Sequence, residues 1–253
     1  MDKKTIAWNF SRYAHIYDQY ADAQCMVGCE LLKGAGKGHC ERILELGCGT
    51  GSYTLLLRNR FKDAGILAVD ISHKMIELAS AKLQGKGVEF IALDAEGLDL
   101  GERFDLITAN ACFQWFQDLG AALKIYKGML KDGGLILFSV FGPLTFRELS
   151  YSLRNVVKNG AIAADGFMPG EKLKKMLRDN FKEAVIEEIR YEENFASLAE
   201  LLNKIKYSGV RGEGHRGRFV FGRKTLGELE KIYLDKFKGI KATYQAFLCR
   251  GYR

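Results

Sequence analysis

The sequence predicts an α/β fold in which a mainly parallel sheet of seven strands carries helices on both faces. Short apolar runs that each end in turn residues alternate with stretches of helical spacing. Glycine accounts for 28 of the 253 residues and proline for only 2, which suits the close turns of such a fold. Hydrophobic residues make up 47% and charged residues 27% of the chain, so a disordered or fibrous protein is excluded.

Each predicted element occupies its own segment of the chain, in an order typical of βαβ units. Predicted strands cover residues 42–46, 65–70, 88–93, 104–109, 135–140, 182–191 and 240–248. Predicted helices lie near residues 52–61, 73–84, 116–130, 144–158 and 170–179. Because parallel neighbours need crossover connections, the first five strands are expected to form one parallel sheet.

Two helical additions flank this predicted sheet. Apolar and aromatic residues recur at helical spacing over 7–33, until Gly34 begins a glycine-rich break, and we interpret this segment as a helical N-terminal lid. Residues 195–238 are too many for a hairpin turn and are expected to form a helical insertion before the last strand. No linker composition appears, so we expect a single domain over 1–253, with its ligand-binding core at 41–140.

The strongest motif is Glu45-Leu46-Gly47-Cys48-Gly49-Thr50-Gly51, where the first predicted strand is followed by a helix. Glycines let the backbone approach a ligand that a Cβ atom would exclude. The third glycine comes one residue earlier than in the G-x-G-x-x-G pattern of dinucleotide sites, and an acidic residue precedes the first glycine. A carboxylate at Glu45 would repel a pyrophosphate but attract the ammonium and sulfonium groups of S-adenosylmethionine. The motif therefore predicts a methyl donor.

Polar residues at the ends of the next three strands agree with that donor. Asp70 ends the second strand and could accept hydrogen bonds from both ribose hydroxyls, since Ser72 is better suited to cap the following helix. Asp94 ends the third strand and could bind the adenine amino group, and Asn110 follows the fourth, where ligands collect. This register predicts a Rossmann-like class I methyltransferase. The residues predicted to bind the donor are Glu45, Gly47, Gly49, Gly51, Asp70, Ile71, Asp94, Ala95, Asn110 and Phe113.

Several further segments resemble one methyltransferase family. Phe10-Ser11-Arg12-Tyr13-Ala14 is followed by Tyr17-Asp18, and Phe113-Gln114-Trp115-Phe116 precedes Leu130-Lys131-Asp132-Gly133-Gly134. Phe141-Gly142-Pro143 then leads to Thr145-Phe146 and Glu148-Leu149. From about residue 8 to residue 250, the chain resembles the malonyl-[acyl-carrier-protein] O-methyltransferases of biotin synthesis.

The resemblance implies transfer of a methyl group from S-adenosylmethionine to the free carboxylate of a malonyl thioester on acyl carrier protein. S-adenosylhomocysteine would be the other product, and no metal is implied. A carboxylate is already ionised at pH 7, so positioning rather than base catalysis would accelerate the reaction. The family motif places Tyr17 at the active site as a hydroxyl donor, although it could instead pack on one helical face.

Two more residues are substrate candidates. Gln114 could form part of the substrate entrance, whereas the neighbouring Trp115 is expected to pack in the core. Arg147 could pair with the malonyl carboxylate as a planar two-pronged donor, or lie at the surface beside Glu148.

Charge is unevenly distributed along the chain. Residues 1–140 hold 16 Lys and Arg against 17 Asp and Glu, whereas residues 141–253 hold 22 against 14. A basic second half suggests an acidic partner, which acyl carrier protein would be, although a solvated face is the alternative. The residues predicted to dock the carrier are Lys204, Lys206, Arg211, Arg216 and Arg218.

Other functions are kept as alternatives. The same fold could methylate another small carboxylate or a carbon of a quinone-like ring, or it could bind S-adenosylmethionine without catalysis. Nucleic acid is disfavoured as a substrate, because Asn110-Ala111-Cys112-Phe113 lacks the proline–aromatic pair used around a flipped base.

Cysteines and histidines lack metal-site spacing. No apolar run has signal-peptide or membrane length, so we expect a cytoplasmic protein without a membrane partner. Separately, we expect a monomer.

Overall fold

The computed structural model of the protein describes residues 2–36, 38–158, 160–208 and 222–253. The seven strands are β1 Arg42–Leu46, β2 Gly65–Asp70, β3 Val88–Ala92, β4 Phe104–Ala109, β5 Leu130–Phe141, β6 Lys182–Phe195 and β7 Ile240–Tyr252. The α-helices are α1 Lys3–Tyr13, α2 Asp22–Lys33, α3 Ser52–Arg60, α4 His73–Lys82, α5 Leu119–Met129, α6 Arg147–Val156, α7 Gly170–Asn180, α8 Leu198–Tyr207 and α9 Arg223–Ile232. Short 3₁₀ turns occupy Ala14–Gln19, Phe113–Trp115 and Ala163–Gly166, and a π turn occupies Tyr233–Phe237.

All seven strands form one sheet in the order β3-β2-β1-β4-β5-β7-β6, which confirms the predicted fold class. The pairs among β1 to β5 are parallel, whereas β7 runs antiparallel to both of its neighbours. The chain moves outward from β1 through β2 to β3 and then returns to place β4 on the other side of β1. This reversal opens a crevice at the carboxyl ends of β1 and β4, where ligands bind in open α/β sheets.

Several element boundaries differ from the sequence prediction, and the following differences have identifiable structural reasons. α5 begins at Leu119 because the Asp118 side chain caps it, accepting a hydrogen bond from the Ala121 amide at 2.9 Å. α6 begins at Arg147 because Phe146 adopts a left-handed backbone with φ of 57°. β5 begins earlier than predicted, at Leu130, because this residue pairs with Phe104 of β4. β6 and β7 are longer than predicted because they pair with each other from Lys182–Tyr252 to Phe195–Ile240.

The N-terminal segment lies across the carboxyl edge of the sheet. Lys3 of α1 contacts Asp94 at 3.1 Å and Glu96 at 2.6 Å. The hydroxyls of Ser11 and Ser72 are 2.7 Å apart. These contacts hold α1 over the strand ends that the sequence assigned to ligand binding.

Neither a membrane span nor a metal cluster is found in the part of the chain that the structure describes. No described helix is both long and apolar enough to cross a bilayer. Residues 2–36, 38–158, 160–208 and 222–253 bring together no group of three or more potential metal-ligating side chains.

Candidate active site

A cavity of about 770 Å³ lies between the N-terminal segment and the carboxyl ends of the first four strands. Mostly apolar side chains and a few polar groups line it, as is usual for small-molecule sites. Seven residues predicted to bind the donor line it, namely Gly47, Gly49, Asp70, Ile71, Asp94, Ala95 and Asn110. A second cavity of about 720 Å³ adjoins it, and Tyr17, Gln24, Gly47, Gly49 and Asn110 line both. The topology therefore brings most of the predicted site together.

The glycine-rich loop leaves room for a ligand at one position only. A Cβ atom on Gly47, whose φ is 73°, would overlap Cys112 Sγ, so this glycine is required by protein packing. A Cβ on Gly49, whose φ is 54°, would meet nothing within 4 Å. Gly51 forms the left-handed N-cap of α3 and lines neither cavity. Gly49 is thus the glycine whose missing side chain keeps ligand space open.

Asp70 braces this loop and faces the first cavity. Its Oδ2 accepts a hydrogen bond from the Gly49 amide at 2.9 Å, and its Oδ1 accepts one from the Ser72 amide at 2.8 Å. The Ser72 hydroxyl caps α4 by accepting from the Met75 amide at 3.2 Å. Each carboxylate oxygen of Asp70 retains a further lone pair that can accept a ligand hydroxyl.

At the end of β3, Asp94 and Ala95 lie beside an apolar wall. Asp94 binds Lys3, whose ammonium also sits 4.7 Å from the centre of the Phe116 ring. The carbonyl of Ala95 accepts a hydrogen bond from the Tyr126 hydroxyl at 2.6 Å, which fixes the turn. A planar ring could lie here between apolar side chains, with the Asp94 carboxylate at its edge.

Phe113 does not line either cavity, although the sequence analysis assigned it to donor binding. Its side chain is 2% exposed and packs against Phe116, Tyr126 and Phe138. Phe113 therefore supports the cavity wall from behind, because the 3₁₀ turn directs its ring into the core.

Glu45 is buried and has an oxygen without a protein partner. Its side chain lines neither cavity, and Oε2 makes no hydrogen bond among the described residues. Burial raises the pKa of Glu45 to about 8, and the nearby Asp70 carboxylate adds to the rise. A cationic ligand group in the neighbouring cavity would stabilise the ionised form of this carboxyl through its field.

Asn110 connects the strand end to the N-terminal segment. Its Oδ1 accepts a hydrogen bond from the Ser139 hydroxyl at 2.7 Å, and its Nδ2 donates to the Gln24 carbonyl at 2.8 Å. A Cβ on Gly28 of α2 would lie 2.9 Å from Asn110 Nδ2. Gln24 and Ser139 belong to the segments that resemble the family, but neither they nor Gly28 were predicted as site residues, since only the folded chain brings these segments together.

Tyr17 stands at the junction of the two cavities. Burial is the largest of the causes that raise the pKa of its hydroxyl, and the Asp70 and Asp18 carboxylates add to it. The hydroxyl therefore stays protonated and can donate a hydrogen bond at neutral pH. The neighbouring Asp18 anchors this turn, because its carboxylate accepts from Thr50 Oγ1 at 2.5 Å and from Lys82 Nζ at 2.7 Å.

Gln114 and Trp115 both line the first cavity. Gln114 donates through Nε2 to the Ala111 carbonyl at 2.7 Å, while its Oε1 is buried without a partner among the described residues. Trp115 packs edge-on against Phe10 and Phe167, with ring centroids 6.1 and 5.5 Å apart. Trp115 thus combines the expected packing with a position in the cavity wall.

Arg147 lies away from both cavities, so its position does not favour the substrate-binding role considered from the sequence. Its guanidinium is 3.0 Å from Glu148 Oε1 and 3.3 Å from Glu192 Oε1. Glu148 is fully buried and also accepts hydrogen bonds from the Thr243 amide and hydroxyl. Arg147 therefore neutralises a structural carboxylate, the surface alternative left open above.

The predicted carrier-docking residues divide into three groups. Lys204 is buried, and its ammonium binds Asp22 at 2.6 Å and Glu193 at 2.7 Å, so its charge is already paired. Lys206 is half-buried at the end of α8. Arg211, Arg216 and Arg218 lie outside the described residues.

Known proteins resemble the chain in sequence and structure. Residues 44–138 match the family described as "Methyltransferase domain". The malonyl-[acyl-carrier protein] O-methyltransferase of Acetivibrio thermocellus is 34% identical, over 96% of this chain and 92% of that protein. Malonyl-[acyl-carrier protein] O-methyltransferase 2 of Ilyobacter polytropus is also 34% identical, over 99% of this chain and 93% of that protein. The structure of the YcgJ protein from Bacillus subtilis aligns with a TM-score of 0.62 and 19% identity, covering 90% of this chain and 97% of that one.

The structural match and the sequence matches support different conclusions. The structural match has low sequence identity and shows the fold alone. The two sequence matches extend over nearly the whole of both proteins, including the N-terminal segment and the insertion that lie outside residues 44–138. The chain therefore belongs to the malonyl-[acyl-carrier protein] O-methyltransferase family.

Proposed function

We propose that this protein transfers a methyl group from S-adenosylmethionine to the free carboxylate of malonyl-acyl carrier protein. The products are S-adenosylhomocysteine and the malonyl methyl ester, which serves biotin synthesis. One observation supports the proposal above all: residues of the family's motifs line two adjoining cavities in a chain that matches its relatives over nearly their full length. Tyr17 lies at the junction of these cavities and lines both of them.

The cavity residues fit S-adenosylmethionine. Gly49 leaves open space where a side chain would intrude, and Asp70 can accept from the ribose hydroxyls. Asp94 and Ala95 suit the adenine ring, and Gly47 and Asn110, which line both cavities, would border the methionine portion of the donor. Glu45 provides a buried carboxyl that a cationic donor would ionise. When bound, the donor supplies an electrophilic methyl group on a sulfonium.

The chain's own part in the reaction is to position the acceptor and exclude water. The malonyl carboxylate is ionised at neutral pH, so no residue has to remove a proton from it. The Tyr17 hydroxyl donates a hydrogen bond that orients one carboxylate oxygen, and Gln114 borders the acceptor. Phe10, Trp115 and Phe116 cover the cavity with apolar surface, which keeps competing water away.

Carrier docking and cellular setting remain part of the proposal. Lys206, Arg211, Arg216 and Arg218 would attract an acidic carrier, whereas the paired Lys204 contributes mainly to the internal structure. We expect the protein to act as a cytoplasmic monomer.

The proposal is tested with S-adenosylmethionine labelled in its methyl group. Wild-type protein is incubated with malonyl-carrier protein, malonyl-coenzyme A or free malonate, and the labelled product is identified. We expect base-labile label on the malonyl group, with the carrier-bound acceptor used most efficiently. Label on a free small molecule alone would favour the small-molecule alternative. Donor binding without any S-adenosylhomocysteine formation from these acceptors would contradict the proposed reaction.

A further inference from the structure

The outer face of α1 differs sharply from its inner face. The exposed positions of this helix are Lys4, Trp8 and Arg12, spaced four residues apart and therefore on one side. Ile6 and Phe10 instead line the first cavity. The same short helix thus covers the active site with one face and presents a basic and aromatic stripe with the other. We refer to Lys4, Trp8 and Arg12 as the α1 stripe.

Trp8 is an unusual surface residue. It is 57% exposed, the largest fraction among the exposed large hydrophobic side chains of the described residues. The Arg12 guanidinium lies 4.9 Å from the centre of its ring, in cation–π contact. A large exposed aromatic beside an arginine is a combination enriched at the energetic centres of protein interfaces.

The positive charge of the stripe has no carboxylate partner in the described structure. Neither Lys4 nor Arg12 forms an ion pair with any residue in 2–36, 38–158, 160–208 or 222–253. Lys3, by contrast, is turned toward the cavity edge, where Asp94 and Glu96 pair with it. Among the described residues, no carboxylate therefore neutralises the outward charges of α1, which can attract an external acidic group.

The stripe continues onto α8. The ring of Tyr13, next to Arg12, packs edge-on against Tyr207 with centroids 5.1 Å apart. Lys206 Nζ lies 5.7 Å from the centre of the Tyr13 ring and 4.7 Å from that of Tyr207. Ser208, the next residue, lines the first cavity. Basic and aromatic groups therefore extend from the outside of α1 to the cavity wall.

We propose that the α1 stripe, together with Lys206, is a docking surface for the acidic acyl carrier protein. This inference rests on the proposed function and adds the surface that receives its substrate. The carrier's carboxylates complement Lys4, Arg12 and Lys206, and Trp8 supplies an apolar anchor at the centre. Docking on the helix that covers the cavity places the carrier beside the site that its thioester arm must enter.

Charge reversal tests the location of this surface against a matched control. Lys4→Glu/Arg12→Glu is compared with Lys62→Glu/Lys86→Glu, which makes the same change in net charge. Lys62 follows α3 and Lys86 precedes β3, so the control pair lies at the opposite, amino edge of the sheet, and both residues are exposed. Each variant is assayed with malonyl-carrier protein and with malonyl-pantetheine, which has the same thioester without the protein.

The α1 variant should lower kcat/KM for malonyl-carrier protein by about tenfold at low salt and less at high salt, because charged surfaces steer association through screened fields. Turnover of malonyl-pantetheine should stay within about twofold of wild type, since that substrate lacks the acidic protein surface. The control pair should leave both substrates close to wild type. An equal loss in both double variants would show that only net charge matters, and no loss in either would place docking elsewhere; each result overturns the proposal.

Trp8→Ala gives a second test that does not alter charge. It should weaken binding of the holo carrier protein, measured by fluorescence polarisation of a labelled carrier, without changing the affinity for S-adenosylmethionine. Should the charge reversals unfold α1, this variant alone decides the question, and unchanged carrier affinity overturns the proposal. Failure of the proposed function is distinguishable, because wild-type protein would then methylate neither malonyl substrate.

Discussion

The charge of a bound donor should change the protonation of the buried Glu45 carboxyl. Its pKa of about 8 lies above the ordinary 4.5, so the carboxyl is mainly protonated in the ligand-free protein at neutral pH. A cationic donor favours the ionised form, so binding should release close to one proton at about pH 7. Calorimetry in buffers of different ionisation enthalpy measures that release. Glu45→Gln should bind without it, and a wild-type protein that releases no proton would contradict the coupling.

The raised pKa of Glu45 also determines how the free energy of unfolding should change with pH. Because the folded pKa is raised, the folded state holds a proton that the unfolded state has lost between pH 4.5 and about 8. The free energy of unfolding of the ligand-free protein should therefore fall as pH rises through that window. Glu45→Gln removes this contribution to the fall, which thermal melts of both proteins at several pH values can measure.

Asp70 should contribute directly to donor affinity. Asp70→Ala removes a carboxylate that faces the cavity and also accepts from the Gly49 amide. We expect donor binding to weaken by about 1.5–3 kcal/mol, the range for hydrogen bonds to a charged group, with the fold retained. Calorimetric titration supplies the affinity, and Asp70→Asn, which keeps one acceptor oxygen, should lose less. Equal affinity in the alanine variant and wild type would remove the ribose assignment.

Tyr17 should affect turnover rather than donor binding. Tyr17→Phe removes the hydroxyl donor but keeps the ring that packs against Phe10, with centroids 6.2 Å apart. Methyl transfer should fall by about tenfold or more, because the lost hydrogen bond orients the reacting carboxylate. Donor affinity should change little. Steady-state rates and calorimetry separate the two quantities, and normal turnover would make Tyr17 a packing residue.

Single residues differ in how well the sequence alone could predict their positions in the fold. Asp70 and Asn110 were predicted because each follows an apolar strand, and strand ends of one parallel sheet share an edge. Lys204 was assigned to docking from local charge density, yet its partners Asp22 and Glu193 come from distant segments that no local pattern connects. Arg147 similarly pairs with Glu192 across 45 positions.

At the scale of elements, the close approach of α2 to the sheet should be necessary for donor binding. Gly28→Ala places a Cβ 2.9 Å from Asn110 Nδ2 and 3.0 Å from Tyr53 Cδ2, so the helix must shift away from the strand end. We expect donor binding to weaken by about tenfold, because α2 would then hold Asn110 less firmly in the cavity wall. Calorimetric titration with the donor checks this.

Gly227→Ala in α9 is the matched control for that change. Its added Cβ would meet nothing within 4 Å, so it should raise stability by about 0.5–1 kcal/mol through helix propensity and leave donor affinity unchanged. Equal donor affinities in the two alanine variants would show that the approach of α2 to Asn110 does not matter for the site.

Elements with strong apolar periodicity were predicted well because burial in the sheet dictates their residues. β1, β2 and β4 match their predicted ranges at both ends. The ends of β5 and β6 were not predictable from local pattern, since β5 begins where Leu130 pairs with Phe104 of β4, and β6 extends as far as β7 offers backbone partners. The start of α6 was not predictable from the sequence either, because it depends on the left-handed backbone of Phe146.

At the scale of the whole molecule, the fold places acidic and basic regions in different roles. Asp70 and Asp94 line the first cavity and Glu45 is buried behind it, where these carboxyl groups suit a cationic donor. The net charge of +7 is carried by other surfaces, including the α1 stripe, where it suits an acidic carrier. The charge difference between the two halves of the sequence pointed to residues after 140, whereas α1 lies in the first half, so the basic stripe on α1 became visible only in the structure.

The central claim is that the free carboxylate of a carrier-bound malonyl group accepts the methyl. Intact mass spectrometry of the carrier protein after incubation with enzyme and S-adenosylmethionine measures this directly. Malonyl-carrier protein should gain the mass of one CH2 unit, because a methyl group replaces the carboxyl proton, and acetyl-carrier protein, which has no free carboxylate, should gain nothing. Malonyl-carrier protein that stays unmodified while the donor binds, or acetyl-carrier protein that is methylated equally, would contradict the account.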